Sequence, residues 1–244
     1  MGLARALSKQ GIASRTQAAE WIRAGRVDVD GRCVRDPEHP TRAGSRIRVD
    51  GRPLDALRPP RRYLMLNKPR GLVTTARDER GRATVYRCFD GAGLGWIAPV
   101  GRLDQASEGL LLFSNDPQWA ARITDPVTGP HKTYHVQVDG IPDEGVLAAM
   151  RAGVQVAGER LAVVAVRVLR VGTRQAWLEI VLDEGRNRHL RRLLQACGFG
   201  VRRLLRVAIG SLALGTLAKG QWRALTAVEV AALAGSGWPL AARD

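Results

Sequence analysis

The sequence is poor in cysteine, in lysine and in long apolar runs. Its three cysteines, Cys33, Cys88 and Cys197, lie far apart and form no Cys-x-x-Cys pair. An odd, dispersed set argues against a disulfide framework or a zinc knuckle and favours a reducing compartment. No apolar stretch approaches the roughly 18 residues of a membrane span, and the first residues lack the apolar region of a signal peptide. We therefore expect a cytoplasmic protein with no membrane partner.

The composition combines a core-forming apolar fraction with a strong excess of positive charge. Apolar residues make up 45% of the 244 residues, which is enough for a folded core and argues against general disorder. The chain has 38 Lys and Arg against 23 Asp and Glu, a net charge of +15. Such an excess favours a polyanionic partner, with nucleic acid as the first choice and an anionic membrane surface as the second. The few lysines in this arginine-rich chain are Lys9, Lys68, Lys132 and Lys219.

Residues 1–57 predict a compact N-terminal unit of two helices and a small sheet. Ser14 and Gln17 have the spacing of a capping box, which places the start of the second helix there. Short alternations of apolar and polar residues flank the Asp-Gly pairs at 30–31 and 50–51. Asp-Gly between alternating segments is a strong signal for a tight hairpin. The unit is therefore expected to contain two hairpins.

A linker and a larger domain are expected to follow. Residues 58–62 contain two prolines and no apolar residue, which is typical of a stiff linker. Within 63–244, strands outnumber helices and are not separated by regular helical crossovers. This predicts an α+β fold with a mostly antiparallel mixed β-sheet flanked by helices. The expected strands are 63–67, 110–113, 133–140, 161–171 and 176–182. Helices are expected at about 188–196 and after the capping-box pair Thr226 and Glu229.

A carboxylate lies near the middle of the chain in a loop bounded by two glycines. Residues 101–112 read Gly-Arg-Leu-Asp-Gln-Ala-Ser-Glu-Gly-Leu-Leu-Leu, so that Asp104 precedes an apolar run. A loop exposes such an acid and the following strand fixes it, which suits a functional carboxylate. Taken alone, the pattern fits an ordinary surface aspartate at a turn better than a functional one.

Five sequence blocks, in order along the chain, resemble one known family. They are SRTQAAEWI with RVDVDG (14–31), NKPRG (67–71), GRLDQASEGLLL (101–112), KTY (132–134) and EGRNRHLRR (184–192). The set resembles bacterial ribosomal-RNA pseudouridine synthases of the RsuA type, which carry an N-terminal S4 RNA-binding domain. Each block alone is weak, but five in order cover nearly the whole chain. His189 stands where this family usually has glutamine. The loop TDPVTGPH before Lys132 does not indicate a subtype of the family, so the exact target is open.

The resemblance implies the isomerisation of uridine to pseudouridine in RNA. The bond between N1 and C1′ breaks, the base turns, and C5 bonds to C1′. No cofactor and no metal are needed, in agreement with the lack of a dinucleotide fingerprint, a P-loop or a metal-ligand cluster in the sequence. The expected partner is ribosomal RNA or a ribosomal assembly intermediate, and the expected state is a monomer.

Three catalytic roles follow from the resemblance. Asp104 is the catalytic carboxylate, and its route is open between attack on C1′, attack on the base and removal of a sugar proton. Arg191 is its expected partner, since a guanidinium favours and orients the charged carboxylate; a phosphate contact is the alternative. Tyr134 is expected to stack on the base and to assist proton transfer from C5, unless it is simply a tyrosine of the core.

The same resemblance and the charge pattern indicate RNA-binding residues. Arg102 is expected to fill the gap left by a flipped base. Lys132 and Lys68 are expected to shape the pocket or contact phosphate, although Lys68 also fits a solvated turn. A second basic patch in the N-terminal unit includes Arg5, Lys9, Arg15 and Arg26. A one-sided arginine run predicts a phosphate-binding surface: Arg186, Arg188, Arg191, Arg192, Arg202, Arg203 and Arg206.

Two other functions fit parts of these patterns. A non-catalytic RNA-binding or ribosome-assembly protein would keep the basic surfaces, but would have no use for Asp104, Tyr134 and Arg191 in their motif context. A nucleoside or RNA hydrolase would use Asp104 with Glu108 as paired carboxylates and would release free uracil. The alternative for Glu108 is a structural ion pair or a cap of the loop.

Overall fold

The computed structural model describes residues 1–183 and 185–235. Glu184 of the arginine-rich block and the predicted domain end at 236–244 lie outside the described residues. The helices are α1 (Leu3–Lys9), α2 (Arg15–Arg23), α3 (Pro117–Thr124), α4 (Glu144–Ala152), α5 (His189–Ala196) and α6 (Ala227–Ala234). Short 3-10 helices occupy Leu54–Leu57 and Val85–Phe89.

The strands follow the same chain order. The first four are β1 (Val27–Val29), β2 (Arg32–Cys33), β3 (Ile47–Val49) and β4 (Arg52–Pro53). The next six are β5 (Tyr63–Lys68), β6 (Ala98–Val100), β7 (Glu108–Ser114), β8 (Lys132–Asp139), β9 (Val154–Val156) and β10 (Glu159–Leu161). The last five are β11 (Ala165–Val171), β12 (Gln175–Leu182), β13 (Val201–Ile209), β14 (Leu212–Ala213) and β15 (Trp222–Ala224).

The N-terminal unit packs α1 and α2 against a small sheet with strand order β2-β1-β3-β4. The Ser14 side chain accepts a hydrogen bond from the Gln17 amide at 3.0 Å and so begins α2. Both predicted hairpins are confirmed, because β1 pairs with β2 and β3 with β4 in antiparallel register. Asp30 and Asp50 have positive φ, as do the glycines that follow them, which is the backbone that a tight hairpin turn requires.

The segment between the N-terminal unit and the large sheet is fixed by hydrogen bonds to Asn115. The Asn115 side chain accepts from the Arg62 amide at 2.8 Å and donates to the Pro60 carbonyl at 2.9 Å. The Arg61 guanidinium donates to the Asn115 carbonyl at 3.1 Å. Gly11 of the N-terminal unit approaches that same carbonyl so closely that a side chain would collide with it. The prolines therefore lie in a segment that is tied down, not in a free tether.

The large sheet has the strand order β11-β12-β8-β13-β7-β5-β15, with β6 on β7 and β14 on β13. Among the described strands, β13 and β7 form a parallel pair and the other neighbours are antiparallel. The predicted α+β fold with a mostly antiparallel mixed sheet and flanking helices is confirmed.

Strands β5 and β7 are buried on both faces, which explains their continuous apolar sequences. Leu66 and Leu111 face the core cluster that includes residues of α4 and α5. Met65 and Leu110 face the cluster that includes residues of α3 and α6. In a strand covered on both faces, successive side chains are all buried, so polar and apolar residues do not alternate. The loop before β7 is therefore anchored to a strand at the centre of the molecule.

Strands β8 and β12 alternate between a buried and a polar face. Val136 and Ile180 are fully buried. On the other face the His135 Nε2 lies 3.2 Å from the Glu179 Oε2. In the register of the sheet, Tyr134 lies opposite Arg206 on β13, and Arg206 in turn lies opposite Gly109 on β7. The register thus brings the start of β8 next to the loop that precedes β7.

Candidate active site

A pocket of about 430 Å³ opens where the loop 101–107, the start of β8, strand β13 and helix α5 meet. Its apolar wall includes Leu103, Leu182, Leu190, Leu204 and Ile209. Its catalytic candidates and its basic lining residues include Asp104, Tyr134, Arg191, Lys132, Arg188 and Arg206. The volume lies within the range of small-ligand pockets, and the combination of apolar wall and cations suits a flat ring joined to an anionic backbone.

Asp104 and Arg191 meet at the edge of this pocket. The Arg191 Nε lies 3.9 Å from the Asp104 Oδ2, with the carboxylate side chain 45% exposed and the arginine side chain 16% exposed. That separation is a charge contact and not a hydrogen bond. The carboxylate is therefore accessible to a substrate while its counter-charge lies behind it.

Helix α5 fixes Arg191 in this position. Its leucines, among them Leu190 and Leu194, are buried in the core, so the helix cannot rotate without exposing them. The guanidinium also donates to the Ala106 carbonyl at 3.3 Å and to the Val201 carbonyl at 3.4 Å. Burial lowers the pKa of Arg191 and the charge of Asp104 opposes that shift; a guanidinium stays cationic in either case.

Lys68 is placed differently from the RNA-binding role assigned to it, and that assignment is wrong. The side chain is fully buried, and its ammonium donates to the carbonyl oxygens of Pro69, Asp104 and Ser107 at 3.1, 3.2 and 2.8 Å. Burial lowers the pKa of Lys68 to about 8, with the Asp104 charge acting in the opposite direction. A buried ammonium with three acceptors holds the catalytic loop and cannot reach a phosphate.

Tyr134 lies at the boundary between the core and the pocket. It is 8% exposed and belongs to the core cluster with Val136 and Leu204, yet it also lines the pocket beside Asp104. The two interpretations of this tyrosine are therefore compatible, because one part of the ring packs inward and another part faces the pocket.

The rim of the pocket is basic. Arg102, Arg186 and Arg188 are exposed and line the opening. Lys132 is half-buried, donates to the Asp183 carbonyl at 3.3 Å, and has a pKa lowered by burial and then by the nearby Arg206 charge. Four of the predicted RNA-binding residues are thus brought together around one opening.

Three members of the arginine run have partners within the protein. The assignment of Arg206 to a phosphate-binding surface is wrong because Arg206 is buried, whereas the roles of Arg192 and Arg203, whose side chains are 30% and 40% exposed, stay predictions. Arg192 pairs with Glu159 at 2.6 Å and Arg203 pairs with Glu108 at 3.0 Å. Arg206 is buried and donates to the Leu110 carbonyl at 2.7 Å. Their partners come from distant parts of the chain, so the lack of nearby acids in the sequence did not imply exposure.

The basic residues of the N-terminal unit lie outside the pocket. Arg5 and Lys9 are exposed on α1. Arg15 is exposed but lies 3.1 Å from Glu38, and Arg26 pairs with Asp50 at 2.6 Å. The patch is therefore partly neutralised, and its role in RNA binding stays a prediction.

Glu108 takes part in structure and does not face Asp104 across the pocket. Its side chain is 3% exposed and lies 2.6 Å from the Lys219 ammonium and 3.0 Å from Arg203. Burial raises the pKa of Glu108, but the hydrogen bonds from Lys219 and Arg203 outweigh burial and hold it below its ordinary value. A carboxylate held ionised between two cations is no general acid, which removes the basis for a paired-carboxylate hydrolase.

Two pocket residues were not identified from the sequence. His189, the residue that departs from the family pattern, is 2% exposed and lines the pocket. Arg206 was assigned to a surface, although the alternation from Leu204 places it at an inward position of β13. The signal in the sequence that could have indicated its burial is an arginine at a position of the strand where the alternation calls for an apolar residue.

The described part of the chain contains no group of three or more His, Cys, Asp or Glu placed to hold a metal ion. None of its helices is long and apolar enough to cross a membrane.

Comparison with known proteins identifies the family. The model described as RNA pseudouridylate synthase matches residues 62–196, and the S4 domain model matches residues 1–47. An uncharacterized RNA pseudouridine synthase of Aquifex aeolicus is 37% identical over 234 residues, which are 93% of this chain and 91% of that protein. Ribosomal large subunit pseudouridine synthase B of Bacillus subtilis is 33% identical over 230 residues, 93% of each chain.

A solved structure agrees with the sequence relatives. The crystal structure of a pseudouridylate synthase superimposes with a TM-score of 0.67 at 29% identity, covering 96% of this chain and 99% of the other. The chain belongs to the RNA pseudouridylate synthase family. It is an isomerase of uridine in RNA, with an N-terminal S4 domain, as the resemblance of the five blocks predicted.

Proposed function

We propose that this protein isomerises a uridine of ribosomal RNA and that Asp104 is its catalytic carboxylate. The observation that carries the proposal is the half-exposed Asp104 carboxylate, which shares one pocket with Arg191 and Tyr134. The Bacillus subtilis relative, whose name assigns it to the large ribosomal subunit, supports large-subunit RNA as the substrate.

The reaction begins with extrusion of the target uridine, since a base in a stack is out of reach of a pocket. Arg102 lies exposed beside Asp104 at the opening and fills the space that the base leaves. The uracil ring enters along the apolar wall and packs against Tyr134. Arg191 supplies a counter-charge to the Asp104 carboxylate and orients it, which each of the three possible routes requires.

The isomerisation needs no other reactant. The bond between N1 and C1′ breaks, C5 bonds to C1′, C5 loses its proton and N1 takes one up. The Tyr134 hydroxyl assists the removal of the C5 proton. Exclusion of water by the leucine wall prevents hydrolysis, which would release free uracil.

Phosphate binding is divided between two regions. Lys132, Arg186 and Arg188 contact the phosphates next to the target. The N-terminal unit, residues 1–57, places the RNA through Arg5, Lys9 and Arg15. In this proposal 58–62 joins it to the catalytic domain 63–244, consistent with the family matches to residues 1–47 and 62–196.

The test uses unmodified large-subunit and small-subunit ribosomal RNA transcribed with uridine tritiated at C5. Wild-type protein is expected to release tritium from the large-subunit transcript, in an amount that corresponds to a few sites at most. Carbodiimide-stop sequencing then locates the pseudouridine. Release from the small-subunit transcript alone would contradict the choice of subunit, and release from neither would contradict the proposed substrate.

A further inference from the structure

Arg206 is a buried guanidinium in the wall of the pocket. It is 5% exposed and lies in the sheet opposite Tyr134 on one side and Gly109 on the other. Its Nε donates to the Leu110 carbonyl at 2.7 Å. Its Nη2 is buried and has no hydrogen-bond partner, and no carboxylate of residues 1–183 or 185–235 forms an ion pair with it.

A buried charged donor without a partner is unfavourable, because the desolvation of the group is not offset. Here the strand is fixed in place. Gly109 has a φ of +99° and approaches the Arg206 backbone so closely that a side chain would collide with it. The guanidinium is therefore held rigidly at the pocket while part of its hydrogen-bonding capacity is unused, which points to an acceptor supplied by a ligand.

A second cation makes the same end of the pocket attractive to electron-rich atoms. Lys132 is half-buried in this wall, and the charge of Arg206 is among the causes that lower its pKa. Both cations line the same pocket, and the charges of Asp183 and Asp125 act on Lys132 in the opposite direction to that of Arg206. The Lys132 ammonium donates to the Asp183 carbonyl, and no carboxylate of the described residues forms an ion pair with it. Two like charges in one wall favour a ligand that carries, or develops, negative charge.

The depth of Arg206 identifies which part of the nucleotide it meets. Arg102, Arg186 and Arg188 are exposed at the rim, where the phosphates of an RNA strand remain. Arg206 is buried beside Leu204 and Ile209 of the apolar wall. The part of a flipped nucleotide that reaches this depth is the base, whose acceptors are the carbonyl oxygens O2 and O4.

We propose that Arg206 donates a hydrogen bond to a carbonyl oxygen of the target uracil and stabilises the negative charge that the base acquires as the N1–C1′ bond breaks. The inference rests on the proposed function. In the routes through attack on C1′ or removal of a sugar proton, the electron pair of that bond leaves with the base and spreads over N1, O2 and O4; in the route through attack on the base, the addition itself places negative charge on O4. C5 then bonds to C1′, the C5 proton leaves to solvent and N1 takes up a proton. A preorganised donor in a water-poor pocket stabilises such charge effectively.

The experiment compares uridine with 5-fluorouridine. Fluorine at C5 stabilises the uracil anion by itself, so the fluorinated base needs less help from Arg206. Two large-subunit transcripts, one with uridine and one with 5-fluorouridine, are reacted in single turnover with wild type and Arg206→Met. Because the fluorinated base has no C5 hydrogen to lose, the readout for both is the N-glycoside consumed, measured by nuclease digestion and mass spectrometry.

Arg206→Met is expected to slow the uridine reaction by about 100-fold, the size found when one donor to a developing anion is removed. The reduction on the fluorinated transcript is expected to be at least about tenfold smaller. An equal reduction on both transcripts would overturn the inference, since neither a structural defect nor weaker phosphate binding depends on the leaving group.

Two controls keep the result decisive. Arg167→Met removes an arginine that is 66% exposed and paired with Glu179 away from the pocket, and it is expected to leave both rates at wild-type values. If Arg206→Met fails to fold by circular dichroism, the same ratio is measured with Arg206→Lys, which keeps the charge but lacks the fork of donors. Inactivity of wild type on the uridine transcript would defeat the proposed function itself, whereas equal reductions defeat only the role of Arg206.

Discussion

The Lys68 ammonium donates a hydrogen bond to the main-chain carbonyl of Asp104 at 3.2 Å, from a position fully removed from solvent. The same ammonium donates to Ser107 and Pro69, so one side chain ties the catalytic loop to the end of β5. Three donors in a compact group match three carbonyl oxygens, whereas a planar guanidinium does not fit this arrangement. This accounts for a lysine at this position in a chain that otherwise favours arginine.

Lys68→Met is expected to reduce turnover by about 100-fold or more, because removal of the ammonium leaves three carbonyls unpaired and releases the loop that carries Asp104. RNA affinity is expected to change by less than about threefold, since the group does not contact the substrate. Lys68→Arg is expected not to restore turnover. Single-turnover tritium release measures turnover and filter binding measures affinity. A weakened RNA affinity with normal turnover would contradict this prediction and support a phosphate-binding role for Lys68.

The stability of the protein is expected to depend on pH through Lys68. Burial lowers the pKa of Lys68 to about 8, against about 10.4 in an unfolded chain. Between these pH values the unfolded chain binds more protons than the folded one, so the free energy of unfolding rises with pH, by at most about 3 kcal/mol. Urea unfolding of wild type and Lys68→Met from pH 7.5 to 10 isolates this contribution. Parallel curves for the two proteins would show that Lys68 does not titrate in this range.

The S4 unit is expected to supply affinity and not chemistry. The double variant Arg5→Ala with Lys9→Ala removes two exposed cations of α1. Binding should weaken, and the slope of log K against log salt should decrease by about 0.7 to 0.9 for each phosphate that the variant no longer neutralises. The single-turnover rate at saturating protein should stay at its wild-type value. Arg167→Ala is the matched control. An unchanged slope in the double variant would show that the RNA phosphates do not contact Arg5 and Lys9.

Sequence patterns indicated the strands of the two N-terminal hairpins, strands β5, β7, β8, β11 and β12 and the two capping motifs, because these depend on local periodicity. Strands β6, β13, β14 and β15 were not expected. Thr226 and Glu229 form the reciprocal capping box at the start of α6. Helix α3 was not expected, although Asp116 caps it and a proline follows. Trp119 and Ile123 are its buried residues, and two apolar positions are too few to define a helical period.

The environment of charged side chains could not be predicted in the same way. The partner of Arg203 is Glu108, and the acceptor for Arg206 is the carbonyl of Leu110. Both contacts arise because β13 and β7 become neighbours in the folded sheet. The motif resemblance placed Asp104, Tyr134 and Arg191 in one site, but the burial of Lys68 and Arg206 depends on the layers packed around them. Sequence spacing carries no information about those layers.

Tyr134→Phe separates two roles of the tyrosine. The substitution keeps the ring in the core cluster and removes the hydroxyl. If the hydroxyl takes part in removal of the C5 proton, tritium release should fall by about 10²-fold or more, as for removal of an acid–base group. RNA affinity should stay within about twofold of wild type. Unchanged tritium release would leave Tyr134 as a stacking surface only.

Asp104→Asn is expected to abolish isomerisation and to leave RNA binding close to intact. The amide has nearly the size of the carboxylate, and Lys68 binds the main chain of residue 104 and not its side chain, so the loop should still form. The substitution removes the charge and the oxygen that acts as nucleophile or base. Removal of an anion beside RNA should strengthen binding slightly at low salt.

Arg191→Ala is the informative comparison for Asp104→Asn. It removes the counter-charge 3.9 Å from the carboxylate and the hydrogen bond to the Ala106 carbonyl. It should therefore lower both turnover and thermal stability, whereas Asp104→Asn lowers turnover alone. Single-turnover tritium release, filter binding and thermal unfolding of the two variants test this difference. Wild-type release by folded Asp104→Asn would overturn the assignment of the catalytic carboxylate, because no other acid of the pocket is placed next to Arg191 among the described residues.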